Sequence, residues 1–325
     1  IVGTHDPTIT ATQNDLMRAL WLKNSSRGKE AWQVLGRAIR MAQGLGLHQQ
    51  SKISQNANAS VEETLSHLWY DEYKRKLWIK LFSWDSHMAF SLGQPRSINT
   101  SDCTIITPLD RDIPADPATT VPVALFPHEP PSSFTPHLFQ YAVGQQIHES
   151  MSLGVHKPHL EDYSLVNTLQ TRIRTLLSNL PPVHRPINPD RSWDTSHPHI
   201  PKQREQISTA ANSFLMSLHR PHAKVHEASR HAAIDAALGT LDAQERLFNL
   251  MAKQYYNIYA LSSYTIDAGI LLAVSTLERP PSDLDTLHRI CHAIEKAIYR
   301  FDLAKDRVPL AHRGSLVLRL CYQKM

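Results

Sequence analysis

Proline falls in this chain in two dense blocks, and that distribution decides what the remainder can fold into. Eight of the 21 prolines lie from Pro108 to Pro136, in PLDRDIPADPATTVPVALFPHEPPSSFTP. Each removes a main-chain donor and fixes φ, so the block excludes helix and pairs poorly with strands. It predicts one long connection, at about 107–136. A second block, LPPVHRPINPDRSWDTSHPHIP over residues 180 to 201, has the same character. Outside the two, nearly every segment keeps helical spacing and good helix formers, and alternating β-branched runs are absent. The expected fold is all-α: a single large multi-helix domain over 1–325 with two proline-rich connections. Helices are predicted at roughly 6–24, 28–45, 61–91, 134–155, 163–179, 203–219, 222–250, 255–277, 283–306 and 310–323.

A chain of 325 residues is near the size at which single cores stop growing, so one large domain is reasonable. No run of about 20 apolar residues is free of charge, and no membrane partner is expected. The greasiest stretch, DAGILLAVSTL from Asp267, suits a buried helix better. The net charge of +4 is spread among interspersed acids and gives no nucleic-acid footprint. Three scattered cysteines, Cys103, Cys291 and Cys321, make neither a disulfide framework nor a thiolate zinc site, which points to a reducing interior. No basic, apolar, small-residue signal follows Ile1, and the chain is expected to be N-terminally incomplete.

The segment AWQVLGRAIRMAQGLGLH, residues 31 to 48, is apolar over most of its circumference. Trp32, Leu35, Ile39 and Ala42 form one row, and Val34, Ala38, Met41 and Leu45 a second, so the helix is expected to be enclosed on most sides. Gln33, Arg37, Arg40 and Gly44 share the remaining polar face. Gly46 reads as a left-handed stop with Leu47 folding back on the last turn. Gly36, in mid-helix, points to a neighbouring helix passing close. Ser60 and Glu63 form a capping box that opens the longest helix, and Gly93 and Pro95 end it. On that helix Asp85 lies among apolar residues, where a bare carboxylate is costly and needs a partner. Arg37 or Arg40 is the expected partner, forming a buried lock between two helices; the alternative is that Asp85 takes a nearby backbone amide. Glu72 is expected to make a solvated local pair with Arg75 or Lys76.

These residues resemble the regulatory, or middle homology, domain of fungal zinc-cluster transcription factors. The resemblance is carried by Ala31, Trp32, Leu35, Gly36, Ala38, Arg40, Ala42 and the LGLH of residues 45 to 48. It continues in Glu72, Arg75, Lys76, Leu77, Trp78 and Asp85, and in LGQPRSI of residues 92 to 98 with the proline-rich exit behind it. It covers roughly residues 11 to 110, with weaker echoes in SLHRPHA from residue 217 and in DAGILLA. It implies an all-helical regulatory domain in the nucleus that controls transcription by intramolecular inhibition, or in response to a small-molecule effector, a homodimer partner or a co-regulator protein. Family members hold two zinc ions in an N-terminal cluster of six cysteines that binds DNA. That cluster is not in this sequence, which is therefore either an excised regulatory region or a member that lacks a DNA-binding module; DNA binding and zinc are expected only in such a module, and no cofactor is expected in these residues.

No phosphate loop, nucleophile elbow or paired-acid motif appears, and no catalytic residue is assigned. Trp84, Tyr264 and Asp267 are the candidates for lining a ligand pocket; the plainer reading of Tyr264 and Asp267 is a pair of satisfied core polar groups. His222 and His226 have the spacing of two zinc ligands, but Pro221 starts a new helix there and no acid or cysteine completes the set. The alternative to a regulator is an enzyme or small-molecule carrier of fungal secondary metabolism that adopted the same helical fold.

Overall fold

The computed structural model describes residues 7–50, 58–126, 128–158 and 160–325. Among these there are ten α-helices and no strand. They are α1 (Ile9–Asn24), α2 (Gly28–Gly44), α3 (Val61–Leu92), α4 (Thr135–Ser152), α5 (Ser164–Ser178), α6 (His199–His219), α7 (Glu227–Leu250), α8 (Tyr259–Glu278), α9 (Leu284–Ala304) and α10 (Pro309–Lys324). The described residues within Ile1–Lys23 and Arg27–Gln145 make one compact unit, and those within Asn24–Ser26 and Gln146–Met325 make a second.

Local signals set the helix ends. Ser60 Oγ accepts from the Glu63 amide at 3.1 Å while Glu63 accepts from the Ser60 amide at 3.0 Å, closing the capping box of α3. At the end of α2, Gly46 has φ +74, Leu47 N donates to Ala42 O, and Gly46 N donates to Gln43 O. That pair of bonds is a Schellman closure. Gly93, at φ +64, closes α3 in the same left-handed conformation. α6 starts four residues earlier than predicted, because Pro201 sits in its first turn, where the missing amide has no helical partner to lose.

In the first unit, α2 is enclosed as its two apolar rows require: Leu35, Ala38, Ile39 and Ala42 are fully buried against Leu16 and Ala19 of α1 and Trp78, Leu81 and Phe82 of α3. No helix backbone crowds Gly36. A Cβ built there would meet the Arg40 guanidinium and the Ser97 hydroxyl at 3.5 Å, ordinary contact distances. Gly36→Ala is therefore expected to stabilise the unit by about 0.5 to 1 kcal/mol, through helix propensity, in a denaturant melt. A loss of stability would mean that this contact cannot relax.

In the second unit the core is shared by α7, α8, α9 and α10, with Ala237, Leu241, Leu272, Ile294, Ala297 and Leu318 at its centre. α8 is long and apolar enough to cross a membrane by length and composition, yet half of that apolar window is buried inside the protein, as suits a core helix. The second proline-rich connection is held from α6, where Gln203 bonds His184 at 3.1 Å and Arg204 makes the larger set of contacts. Arg204, nearly buried, donates Nε and Nη2 to Val183 O at 3.1 and 2.9 Å and pairs with Asp194 at 2.9 Å. Arg204→Ala is expected to lower stability by about 2 to 3 kcal/mol, below the ~3–5 of a pair buried on both sides because Asp194 keeps some water. A change under about 0.5 kcal/mol would show that the connection is held elsewhere.

Candidate functional site

The first proline-rich connection lies along α3. The chain leaves α3 at Gly93 and returns antiparallel to it, and polar side chains of α3 hold it at three levels. Asp85, at the near end, accepts from the main-chain amides of Ser97 at 2.9 Å and Ile98 at 2.8 Å. Glu72, further back, accepts from Leu109 N at 2.8 Å, and Lys76, one turn along, donates to Leu109 O at 2.8 Å. One peptide residue is thus gripped at both its donor and its acceptor. At the far level Trp69 donates its indole N–H to Thr120 O at 2.7 Å. Asp110 and Asp112 then tie the segment to Thr135 and Ser133 at the entrance of α4.

Electrostatics follow from burial. Asp85 is wholly buried, and desolvation raises its pKa while the amides of Ser97 and Ile98, with Arg96, pull it back in part. Burial lowers Lys76 to about 8 against the opposing pull of Glu72, Asp110 and Asp112. Its ammonium also stands 3.7 Å from the centre of the Phe134 ring.

The expected lock between Asp85 and Arg37 or Arg40 does not form. Arg37 and Arg40 are exposed, and Arg37 makes a two-toothed pair with Asp15 of α1, at 2.6 and 2.5 Å. Asp85 is buried as expected, but the backbone turn after α3 reaches its carboxylate first. Glu72 does pair with Arg75, yet it is buried rather than solvated because Leu109 covers it. Sequence reasoning missed Lys76 and Trp69 as holders of the segment and Asp15 as the arginine's partner. The available signal was the position of Trp69, Glu72 and Lys76 on one edge of α3, one turn apart.

Of the pocket candidates, Trp84 lies on α3 in the first unit, and Tyr264 and Asp267 lie one turn apart on α8 in the second. Trp84, in the first unit, presents its ring to Lys23, whose Nζ is 5.1 Å from the ring centre. Burial drops Lys23 to about 7, and His87 is held well below the usual imidazole range by burial and then by Lys23. Tyr264, in the second unit, is half-buried, with its hydroxyl pushed well above the phenol range by burial, then by Asp267 and Tyr259. Asp267 is exposed and is not a core group. His222 donates Nε2 to Val155 O at 2.8 Å and meets the Tyr163 ring edge-on at 5.9 Å, while His226 stacks on the same ring with centres 4.0 Å apart. Among the described residues no three His, Cys, Asp or Glu side chains gather at metal-binding distance. Beside them His219 joins Tyr163, Ser229 and Gln170 in one hydrogen-bonded chain.

A pocket that sequence reasoning did not find lies within the second unit. It is lined by Gln244 and Phe248 of α7, Tyr256, and Arg300 and Phe301 of α9, with room for about 10 Å³. Neither Trp84, Tyr264 nor Asp267 lines it.

Comparison with known proteins bears on the first unit above all. Residues 3–142 match the fungal specific transcription factor domain, and that stretch contains all of α1, α2, α3 and the held segment. Transcription factor xilB of Penicillium rubens is 23% identical over 355 residues, covering 98% of this chain and 50% of the relative. The chain thus spans about half the length of the curated relative it matches. No solved structure matches it.

Proposed function

We propose, from the match of residues 3–142 to the fungal specific transcription factor domain, that this chain is the regulatory body of a fungal transcription factor. In this reading it is not an enzyme. It holds a DNA-binding and activating apparatus in check in the nucleus, and a small molecule or a partner protein releases the restraint by favouring a second arrangement. DNA is contacted by a module these residues do not include, and any zinc belongs to that module.

The observation that carries the reading is the domain match over residues 3–142. It is supported by the use to which that stretch puts its buried polar residues: Glu72, Lys76 and Asp85 bind the chain's own main chain and are occupied by it. A regulator needs a body with discrete packing and a bias of a few kcal/mol between states, rather than an open reacting centre. The test is a reporter assay with residues 1–325 inserted between a heterologous DNA-binding domain and an activation domain. Reporter output is expected to fall about tenfold against the fusion lacking these residues, equivalent to about 1.4 kcal/mol of bias. Equal output from the two fusions, both expressed and nuclear, would remove the reading.

A further inference from the structure

We infer that the pocket between α7, α8 and α9 is a binding site for a small hydroxy acid, its carboxylate on Arg300 and its hydroxyl on Gln244. The inference extends the regulatory reading by giving the domain an effector site, and its test is a binding measurement that does not depend on that reading.

Two buried polar groups on facing helices carry it. Arg300 is 6% exposed and Gln244 1%. Both line the pocket, and among the described residues neither Arg300 Nη2 nor Gln244 Oε1 has a hydrogen-bond partner. Two other buried arginines are engaged: Arg204 takes Val183 and Asp194, and Arg230 takes Glu227 and the carbonyl of Arg279. The acids near Arg300 hold it loosely: the Glu245 carboxylate is 3.8 Å from Nη1, beyond hydrogen-bond reach, and 3.2 Å from Lys296, with which it is shared, and Asp242 acts on it through its charge. A buried guanidinium nitrogen without an acceptor is strongly unfavourable, so the group calls for an acceptor from outside the fold.

The chemistry of the two atoms selects the ligand. Arg300 Nη2 offers a charged donor, which favours a carboxylate. Gln244 gives its Nε2 to Thr209 Oγ1 at 2.9 Å and keeps Oε1 as an acceptor, which asks for a donor. A carboxylate with a neighbouring hydroxyl supplies both. The rest of the wall adds the hydroxyls of Ser262 and Thr265 to an otherwise apolar and aromatic lining, in which Phe248 and Tyr256 stack with centres 4.0 Å apart beside Phe301. Room for about 10 Å³ is on the order of one water, so an acid of three carbons or more seats only when Tyr256 moves off Phe248. Tyr256 belongs to the connection between α7 and α8, so occupancy and the position of that connection are linked, which is what an effector site requires.

The experiment is calorimetric titration and thermal unfolding of residues 1–325 with lactate, beside propionate, which lacks the hydroxyl, and lactamide, which lacks the charge. Lactate is expected to bind with Kd on the order of 1 mM, given its few heavy atoms, and to raise Tm by about 2 °C at tenfold excess over Kd. Propionate and lactamide are each expected to bind at least about tenfold more weakly. Arg300→Lys, which keeps the charge and loses the fork, and Gln244→Leu are each expected to weaken lactate binding about tenfold, while both remain folded by circular dichroism. If either variant fails to fold, the comparison of the three ligands on the wild-type chain decides alone. Equal responses to the three ligands, or no response to lactate, would overturn the inference and leave Arg300 and Gln244 as a water-bridged core pair. Loss of reporter repression with intact lactate binding would strike the regulatory reading and leave this one standing.

Discussion

Asp85→Ala is expected to lower the unfolding free energy by about 3 to 4 kcal/mol. The substitution strands the amides of Ser97 and Ile98, of which Ile98 is deeply buried, and each unsatisfied buried donor costs about 1–3 kcal/mol. Asp85→Asn should lose no more than about 1 kcal/mol, because it keeps an acceptor for the amides and removes a charge whose burial is itself unfavourable, as the raised carboxyl pKa indicates. The order of the two variants is diagnostic. An ion-pair lock would make asparagine nearly as damaging as alanine, whereas an acceptor for backbone amides tolerates it. A double-mutant cycle of Asp85→Ala with Arg37→Ala should give a coupling energy within about 0.3 kcal/mol of zero, since Arg37 bonds Asp15 instead. A coupling above about 1 kcal/mol would restore the lock and overturn the role of Asp85 as an acceptor for the two amides.

Acidification is expected to weaken the second unit through His219, by about 2 kcal/mol at pH 5 relative to pH 7 and about 3 at pH 4. In the fold, Gln170 Oε1 accepts from His219 Nε2 at 2.7 Å, so Nδ1 is left to accept from the Ser229 hydroxyl at 3.0 Å, which in turn takes the Tyr163 hydroxyl at 2.6 Å. A proton on Nδ1 breaks that order in a site 2% exposed, and burial, then His222 and Arg174, lowers His219 to about 4. Unfolded, the imidazole takes up its proton near 6.5. Between those two values the unfolded chain holds more protons than the folded one, so stability falls as pH falls. His137, lowered to about 4 chiefly by burial, titrates in the same window in the other unit. The measurement is urea unfolding from pH 7.5 to 4 on the wild type and on His219→Asn. The variant should start less stable and lose less on acidification, and parallel pH profiles would show that His219 is not the sensor.

What the sequence made legible was what is local. The capping box at Ser60, the left-handed stops at Gly46 and Gly93, and the stretch without α-helix from Pro108 are each fixed by a residue and its neighbours within five positions. Burial of Asp85 was legible too, because Leu81, Phe82 and Met88 surround it in sequence as they do in space. Its partner was not, because a main-chain amide has no letter of its own: nothing in the identities of Ser97 and Ile98 announces that they donate. Arg37 illustrates a second limit. Its partner Asp15 stands 22 residues away on another helix, a pairing that no local spacing announces. Gly36 shows a third, since a small residue in a helix reads as a close helix neighbour whether it faces a backbone or, as in this fold, a serine hydroxyl. The Arg300 pocket was illegible for a related reason: its lining comes from α7, α8 and α9, whose register against one another is set by packing.

The grip of α3 on its return segment has an evolutionary corollary. Glu72, Lys76 and Trp69 bond to the peptide groups of Leu109 and Thr120, which every residue but proline carries in full, so the side chains at 109 and 120 are unread by these contacts. Selection acting through the grip therefore falls on the helix and spares the letters it holds. Across related chains the path of this segment should persist while its composition drifts, and its prolines, which limit the conformations open to the unfolded chain, should wander in position as long as none removes the amide at 97, 98 or 109.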